Sequence, residues 1–320
     1  MNYLLADIGG TNTRCAIARD SGAPEKILTF ENVDFADPAA LLRRYLDSLA
    51  PEDHPERGAL AVAGPVRDDA VHLLNIDWHI AVPALGDTLG LDHVTLLNDF
   101  EALAMALPGL DDDELRQVGN GTRRDDRTKV VIGPGTGLGV AGLVPVESGW
   151  RAIGGEGGHV TLPAADDEEA NIVAKIRAEF GHCSAERLIS GPGLTLLHAA
   201  IHDDRSVGRE LDAAEIGTRA TNGDPDANRT LEIFFRILGT VAANLALTLG
   251  AFGGVYIGGG MIPRYADKFV ASGFRKRFEA KGRYGDYLEN IPTYLIVAQQ
   301  PTLKGLAAHA RNLQGLSITR

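Results

Sequence analysis

Two glycine-rich turns, about 125 residues apart, place the strongest constraint on what this chain can fold into. The first lies in segment 4–14, Leu-Leu-Ala-Asp-Ile-Gly-Gly-Thr-Asn-Thr-Arg, and the second in segment 130–140, Val-Val-Ile-Gly-Pro-Gly-Thr-Gly-Leu-Gly-Val. Each turn follows an apolar, strand-like run and returns into another. Glycine lets a ligand approach the main chain, and successive backbone N–H groups in such a turn bind anions. The repeat predicts a nucleotide enzyme of duplicated α/β design.

Size and charge narrow the class of protein further. At 320 residues the chain exceeds the usual single domain, so we expect two domains. Its formal net charge of −12 at pH 7 disfavours binding to nucleic acid or to an anionic membrane surface. A phosphate ligand must then be held by backbone N–H groups, helix N-termini, a few arginines and a metal ion.

The number of cysteines and the residues at the N-terminus indicate the cellular compartment. The two cysteines, Cys15 and Cys183, are far apart and predict no disulfide framework, which favours a reducing compartment. No Cys-x-x-Cys pair is available for a structural zinc cluster. Met1 leads directly into the first strand, without a basic stretch or a cleavable apolar segment. We therefore expect a cytoplasmic protein.

One uncharged stretch is long enough to span a membrane, because no charged residue lies between Arg236 and Arg264. However, Gly250, Gly253 and Gly254 interrupt it, and the residues after them are typical of a short strand ending in a turn. The pattern favours a buried helix followed by a central parallel strand.

The order of predicted elements supports two α/β domains. Apolar spacing predicts β-β-β-α-β-α-β over residues 3–107, and the Pro-Gly and acidic run at 108–114 marks a boundary. A similar order restarts at Lys129 and is interrupted by a predicted glycine-rich loop at 154–158. Further helices are predicted at 167–180, 193–202, 212–221, 226–249 and 303–313. The predicted domains are 1–109 plus 302–320, and 110–301.

The first turn has the chemistry of a metal–phosphate site. Asp7 ends a predicted strand, and Mg²⁺ prefers one or two carboxylates together with waters and phosphates. Thr11, Asn12 and Arg14 can reach phosphate oxygens. The alternative is that Asp7 only caps a turn, which is a common role for aspartate. The presence of the second glycine turn favours the nucleotide role.

Two other nucleotide motifs do not fit. Residues 137–142 match Gly-x-Gly-x-x-Gly, but the dinucleotide fingerprint requires a helix directly after the turn, and 140–146 is strand-like. A P-loop is excluded because none of the seven lysines is followed by Ser or Thr.

Polar residues at two further places are candidates for binding a small polar ligand. Asn98 and Asp99 lie at a predicted strand-to-helix junction, where they either cap the helix or serve catalysis through an ionised carboxylate that accepts a hydroxyl proton. Glu156 and His159 belong to a Gly-Gly-Glu-Gly-Gly-His run, and glycines on both sides of a carboxylate suit a loop that wraps a ligand. Taken by itself, the sequence around Glu186 is typical of a surface helix. A single histidine such as His159 more often has a structural role than a functional one.

Taken together, these residues resemble one family, the bacterial-type glucokinases of the hexokinase and actin-like ATPase superfamily. The resemblance covers nearly the whole chain, and its motifs occur in order at 6–12, 97–100, 133–139, 154–159, 184–187 and 252–260. The related repressor and sugar-kinase family carries a zinc-binding cysteine cluster that is absent from this sequence, which favours the glucokinase branch. The resemblance implies a duplicated actin-like (ribonuclease-H-like) ATPase fold with two domains around a central cleft.

The resemblance also implies a function and roles for individual residues. Asp99 would be the general base in ATP-dependent phosphorylation of glucose at its 6-hydroxyl, and the other sugar hydroxyls would bind Asn98, Glu156, His159 and Glu186. ATP would bind at two sets of turn residues, with Mg²⁺ near Asp7 through water. The implied ATP contacts are Ala6, Asp7, Ile8, Gly9, Gly10, Thr11, Asn12, Gly133, Gly135, Thr136, Gly137, Leu138, Gly258, Gly259 and Gly260.

Several alternatives stay open on the sequence. The hexose could be mannose or glucosamine, and the donor could be ADP or polyphosphate. A sugar-responsive regulator on the same fold would need a DNA-reading module, and an actin-like ATPase would hydrolyse ATP without sugar. We expect no nucleic-acid or membrane partner, and the resemblance suggests a homodimer.

Overall fold

The computed structural model describes residues 1–20, 22–73, 76–147, 149–202 and 211–318. Contacts divide the chain into two compact units. Unit 1 contains Met1–Leu110, Leu143–Gly154 and Ala298–Arg320, and unit 2 contains Asp111–Gly142 and Gly155–Val297. These units differ from the predicted domains mainly in segment 143–154, which the sequence placed in the larger domain. The division into domains stays a prediction.

Strands and helices occur along the whole described chain. The strands are β1 (Asn2–Ile8), β2 (Asn12–Arg19), β3 (Glu25–Glu31), β4 (Arg57–Val62), β5 (Ala70–Leu73), β6 (Trp78–Ala81), β7 (His93–Asn98), β8 (Leu115–Gln117), β9 (Lys129–Pro134), β10 (Leu138–Val146), β11 (Gly149–Gly155), β12 (Val255–Ile257) and β13 (Thr293–Ile296). The α-helices are α1 (Pro38–Leu46), α2 (Val82–Leu89), α3 (Asp99–Ala106), α4 (Asp167–Phe180), α5 (Ala185–Leu188), α6 (Gly191–His202), α7 (Ala213–Thr221), α8 (Pro225–Leu249), α9 (Ala266–Ala271), α10 (Phe274–Glu279), α11 (Gly285–Glu289) and α12 (Pro301–Ile318).

The two main sheets share one strand order, which is the structural form of the repeat seen in the sequence. The five-stranded sheet has the order β3-β2-β1-β4-β7, in which β1, β4 and β7 are parallel. The six-stranded sheet has the order β11-β10-β9-β12-β13-β8, in which β9, β12 and β13 are parallel. A glycine turn joins β1 to β2 in one sheet and β9 to β10 in the other, and two later parallel strands lie on the other side of β1 and of β9. The second sheet has β8 as an additional antiparallel strand at its edge. The duplicated α/β design is therefore confirmed.

Strand register in unit 1 brings two predicted sites to one edge of the sheet. Ile8 pairs with Val62, and Val62 pairs with Asn98, so β1, β4 and β7 end side by side. With neighbouring strands about 4.8 Å apart, the end of β1 lies about 10 Å from the end of β7. Ligands of open α/β sheets bind outside the carboxyl ends of the strands, so a ligand site is expected at this edge of the sheet.

Alternating residues of β1 bury both faces of that sheet. Leu4, Ala6 and Ile8 join a core with the buried residues of α1, α2, β5 and β6. Tyr3 and Leu5 join the opposite core, together with residues of α3 and α12. The first strand is therefore covered on both sides, as its continuous apolar run requires.

Helix α8 is the central helix of the unit 2 core. By length and composition it is apolar enough to cross a membrane, but 72% of its most apolar window is buried inside the protein. It ends at Leu249 and is capped by Gly250, which has a φ of 60°, and β12 follows between β9 and β13. This is the buried helix and central parallel strand that the sequence predicted.

Each unit contains one of the cysteines. Cys15 lies in β2 of unit 1 and Cys183 precedes α5 in unit 2, and both are buried and free of disulfide bonds.

Candidate functional site

The first glycine turn joins β1 to β2, with Asp7 at the end of β1. Asp7 pairs with Arg14 across the two strands, and the guanidinium donates to the carboxylate at 3.4 Å. Burial raises the pKa of Asp7, and the positive charge of Arg14 only partly opposes this rise. A partly buried carboxylate with one cation partner suits a further cation beside it.

Asn32, which the sequence reasoning did not identify, holds the first turn in shape. Its side-chain amide donates to the carbonyl of Gly9 at 2.8 Å, and its side-chain oxygen accepts from the hydroxyl of Thr13 at 2.8 Å. Its backbone N–H donates to the carbonyl of Thr11 at 2.9 Å. Asn32 is buried, so these bonds also satisfy its own polar groups.

The second strand end in unit 1 carries Asn98 and Asp99. Asn98 is the N-cap of α3, and its side chain accepts from the N–H of Phe100 at 2.9 Å. Glu101 completes a capping box by accepting from the N–H of Asn98 at 3.1 Å. The capping role considered for Asn98 is therefore real, and it places Asp99 at the first residue of the helix, where the helix dipole favours a carboxylate.

Unit 2 brings its two predicted ATP-binding turns together at the ends of β9 and β12. A Cβ at Gly133 would lie 2.5 Å from the carbonyl carbon of Gly258, and a Cβ at Gly259 would lie 2.5 Å from the carbonyl oxygen of Pro134. The backbones are therefore in direct contact, and only glycine fits at these points. Gly259 also has a φ of 79°.

The other three predicted sugar-binding residues form a cluster in unit 2. His159 lies 3.8 Å from the carboxylate of Glu156 and 3.9 Å from that of Glu186. These distances join ring nitrogens to carboxylate oxygens. Glu156 and His159 are about three-fifths exposed, with 63% and 59% of their side chains accessible, whereas Glu186 is 32% exposed.

Glu186 also contacts the predicted phosphate-binding turn directly. Its carboxylate accepts from the backbone N–H of Leu138 at 2.9 Å, and a Cβ at Gly137 would lie 2.5 Å from the same oxygen. Glu186 is therefore more than the surface helix residue that its sequence context alone indicated. A cavity of about 180 Å³ beside it is lined by Thr136, His159, Ser184, Glu186, Arg187 and Ser190, among others.

The glycines around Glu156 have a packing role that the sequence reasoning missed. Gly155 ends β11, and Gly157 begins a 3-10 turn, so the predicted loop at 154–158 is partly strand. A Cβ at Gly158 would lie 2.2 Å from the carbonyl oxygen of Leu138, and one at Gly157 would lie 3.0 Å from Val140. Close packing against β10 is therefore enough to require glycine at positions 157 and 158, whether or not a ligand binds there.

Each unit therefore gathers its own share of the predicted residues. In unit 1, the sheet edge carries Asp7, Gly9, Gly10, Thr11, Asn12, Asn98 and Asp99. In unit 2, the contacting turns and the sugar cluster include Gly133, Gly137, Leu138, Glu156, His159, Glu186, Gly258 and Gly259. The role of each residue stays a prediction.

Solved structures identify the class of protein. A glucokinase from an Antarctic psychrotroph matches with a TM-score of 0.87 at 35% sequence identity, over 97% of this chain and 99% of that chain. The duplicated topology is that of the actin-like ATPase fold, in the group that contains the sugar kinases.

The family follows from the sequence relatives. The family model "Glucokinase" matches residues 4–313. "Glucokinase" of Chromobacterium violaceum is 47% identical over 308 residues, which cover 96% of this chain and 88% of that protein. "Bifunctional protein glk" of Paraburkholderia xenovorans is 44% identical over 307 residues, which cover 95% of this chain but 48% of that protein. The chain thus spans about half the length of the first curated relatives it matches. It belongs to the glucokinase family.

Proposed function

We propose that this protein transfers the γ-phosphoryl group of ATP to the 6-hydroxyl of glucose. The proposal is supported by membership of the glucokinase family and by the register of the unit 1 sheet. The register is the observation that supports it most directly, because β1, which carries Asp7, and β7, which leads into Asp99, end at one edge of the sheet about 10 Å apart. Phosphoryl transfer depends mainly on such positioning and on electrostatic stabilisation.

In this proposal Asp99 accepts the proton of the sugar hydroxyl. The N-terminus of α3 favours the ionised carboxylate that a base requires. Asn98 is held by its capping bonds and by a bond from its amide to the carbonyl of Gly64 at 3.1 Å, so the junction that presents Asp99 is fixed from both sides. A fixed base gains more from proximity than a mobile one.

The cluster of Glu156, His159 and Glu186 binds the remaining sugar hydroxyls. Carboxylates and imidazole offer acceptors for several O–H groups. A site built for hydroxyls rejects a ligand that lacks one, because a polar group is then left unpaired. Glucose is the hexose we propose, and mannose and glucosamine are the competitors to be compared with it.

The residues of the first turn fit Mg²⁺. The carboxylate of Asp7 supplies an oxygen ligand of the kind that Mg²⁺ takes from proteins, directly or through water, and its raised pKa indicates that more positive charge would stabilise it. When bound with ATP, the ion would neutralise charge on the phosphates. Backbone N–H groups at the tips of the two turns, those of Gly10, Thr11 and Thr136, would bind phosphate oxygens. The N–H groups of Gly9, Gly135 and Leu138 already donate to acceptors within the protein. We also propose that the protein acts in the cytoplasm, and the homodimer stays a prediction.

Replacement of Asp99 tests the proposed reaction. We expect Asp99→Ala to lose about 3–6 kcal/mol of transition-state stabilisation, because both proton transfer and positioning suffer. Asp37→Asn is a matched control in the same unit, since Asp37 caps α1 by accepting from the N–H of Ala40 and asparagine caps equally well. A coupled assay should run across glucose, mannose and glucosamine with ATP, ADP and polyphosphate as donors.

Three results would contradict the proposal. Near-normal turnover by Asp99→Ala would remove the role of this residue. Equal turnover without any sugar would favour an ATPase, and a better hexose or donor than glucose and ATP would change the substrate assignment.

A further inference from the structure

The hairpin of β5 and β6 in unit 1 has one buried and one exposed face. Val71 and Leu73 of β5 and Trp78 and Ile80 of β6 are buried and belong to the core beneath them. Because successive strand residues point to opposite sides, the residues between them face away from this core. The backbone of the hairpin is therefore held by the core, independently of its outer face.

Two histidines lie directly opposite each other on that outer face. His72 pairs with His79 in the antiparallel register. Their rings are stacked, with centroids 3.8 Å apart and planes inclined by 16°. Asp77 lies 2.9 Å from the Nε2 atom of His72, measured to its Oδ1 atom. The potential ligand atoms of the three side chains all lie within 4.8 Å of one another.

We propose that His72, Asp77 and His79 form a binding site for a divalent transition-metal ion, of which Zn²⁺ is the representative. Imidazole nitrogens and a carboxylate oxygen are ligands that suit zinc, and three protein ligands leave one position of a tetrahedral site for water. Mg²⁺ is not expected here, because it prefers a shell of oxygens. The site is separate from the proposed Mg²⁺ position at Asp7 and does not depend on the proposed kinase activity.

The geometry allows the side chains to close on an ion. Ligand atoms about 2.0–2.1 Å from a tetrahedral zinc are roughly 3.4 Å apart, so separations of up to 4.8 Å must shrink by at most about 1.4 Å. The side chain of His72 is 37% exposed and that of Asp77 is 90% exposed. The ring nitrogens of two stacked imidazoles do not point at a common ion, so binding also requires His72 and His79 to rotate out of their stack. We expect these exposed side chains to do so without moving the strands, which the core holds. Without an ion, the Nε2–H of His72 can donate to the carboxylate of Asp77, which orients the ring.

The test is metal binding by the untagged full-length protein after removal of metals with a chelator. Titration calorimetry at pH 7.5 with ZnCl₂ should give one site per chain, and MgCl₂ should give none at that site. His72→Gln, His79→Gln and Asp77→Asn should each weaken zinc binding by more than about tenfold, because each removes one of the three proposed ligands. His54→Gln is the matched control, because His54 is exposed in the same unit and lies outside the hairpin.

Cobalt absorption gives a second readout that does not depend on calorimetry. Co²⁺ in a site with protein nitrogen ligands gives visible absorption, which should disappear in the double variant His72→Gln with His79→Gln. Circular dichroism of that variant should match the parent chain, since both side chains are on the exposed face. Absence of stoichiometric zinc binding, or binding unchanged by the double variant, would overturn the proposal. Zinc binding is measured independently of turnover by Asp99 variants, so failure of either proposal leaves the other standing.

Discussion

Gly305 of α12 offers a sharp test of how unit 1 holds its candidate base. A Cβ at this position would lie 1.7 Å from the carbonyl oxygen of Ala102 and 3.1 Å from the backbone nitrogen of Ala106. Both of these atoms belong to α3, the helix that begins at Asp99. The side chains of Leu303 and Leu306 are buried in the same contact. The change Gly305→Ala therefore forces α12 away from α3.

Two opposing contributions decide the sign of this effect. Alanine in place of glycine stabilises a helix interior by about 1 kcal/mol. Overpacking costs about 1–3 kcal/mol or more, and here the obstacle is a helix backbone that cannot rotate aside. An ordinary contact of about 3.5 Å requires α12 to move by roughly 1.8 Å, which also weakens the packing of its leucines. Taking the upper end of the overpacking range, we expect a net loss of about 2 kcal/mol in the free energy of unfolding.

Urea unfolding followed by circular dichroism measures this loss. With a slope of about 1–3 kcal/mol per molar urea, the midpoint of the transition that reports on unit 1 should fall by about 1 M. Gly109→Ala is the control, because a Cβ there meets nothing within 4 Å and the backbone has no positive φ. A shift of α3 should also lower kcat for glucose phosphorylation, since small displacements of a catalytic group are costly. If Gly305→Ala is as stable as the parent chain, the close contact between the helices is refuted.

Three further predictions concern charged and titratable groups. Glu186→Gln keeps an acceptor for the N–H of Leu138 but loses the charge, so KM for glucose should rise at least about fivefold, and an unchanged KM in steady-state kinetics would contradict the sugar role. Burial, with a smaller contribution from the charge of His93, lowers the pKa of His309 to about 4. Between about pH 6.5 and 4 the unfolded chain binds a proton that the folded protein does not, so stability decreases as the pH is lowered through this range. His309→Phe should make the melting temperature less dependent on pH in this range. A surface change such as His54→Gln should leave that dependence unchanged. Burial lowers the pKa of Lys129 to about 8, so stability should rise as pH increases from about 8 to 10.5, and loss of this rise in Lys129→Met is checked by the same series at alkaline pH.

Much of the fold could be predicted because its signals are local. Helix α4 has the predicted bounds, 167–180, since its acidic first turn and apolar spacing lie within the helix itself. The strand β8 and the helices α9, α10 and α11 were not predicted. They are short, with three to six residues, so they carry too few periods for a pattern to be recognised. Their formation depends on packing rather than on a sequence signal.

The candidate site was predictable where a residue's role depends on its neighbours in sequence. Glu101 could have been found as well, because the Asn-x-x-Glu spacing from Asn98 is a capping-box pattern. Asn32 could not, since its partners Gly9 and Thr13 lie about 20 residues earlier and are brought to it by the turn and by the pairing of β2 with β3. The packing reason for Gly158 was equally hidden, because it depends on the approach of β10.

Because both cysteines are buried, the rate at which each thiol is alkylated measures local opening of the unit that contains it. Burial raises the pKa of both thiols, so neither presents a reactive thiolate while its surroundings are closed. An alkylating reagent then modifies Cys15 only when unit 1 opens and Cys183 only when unit 2 opens. Peptide mass spectrometry resolves the two adducts, so the rates at which nucleotide or sugar protects each unit can be followed separately on the unaltered protein.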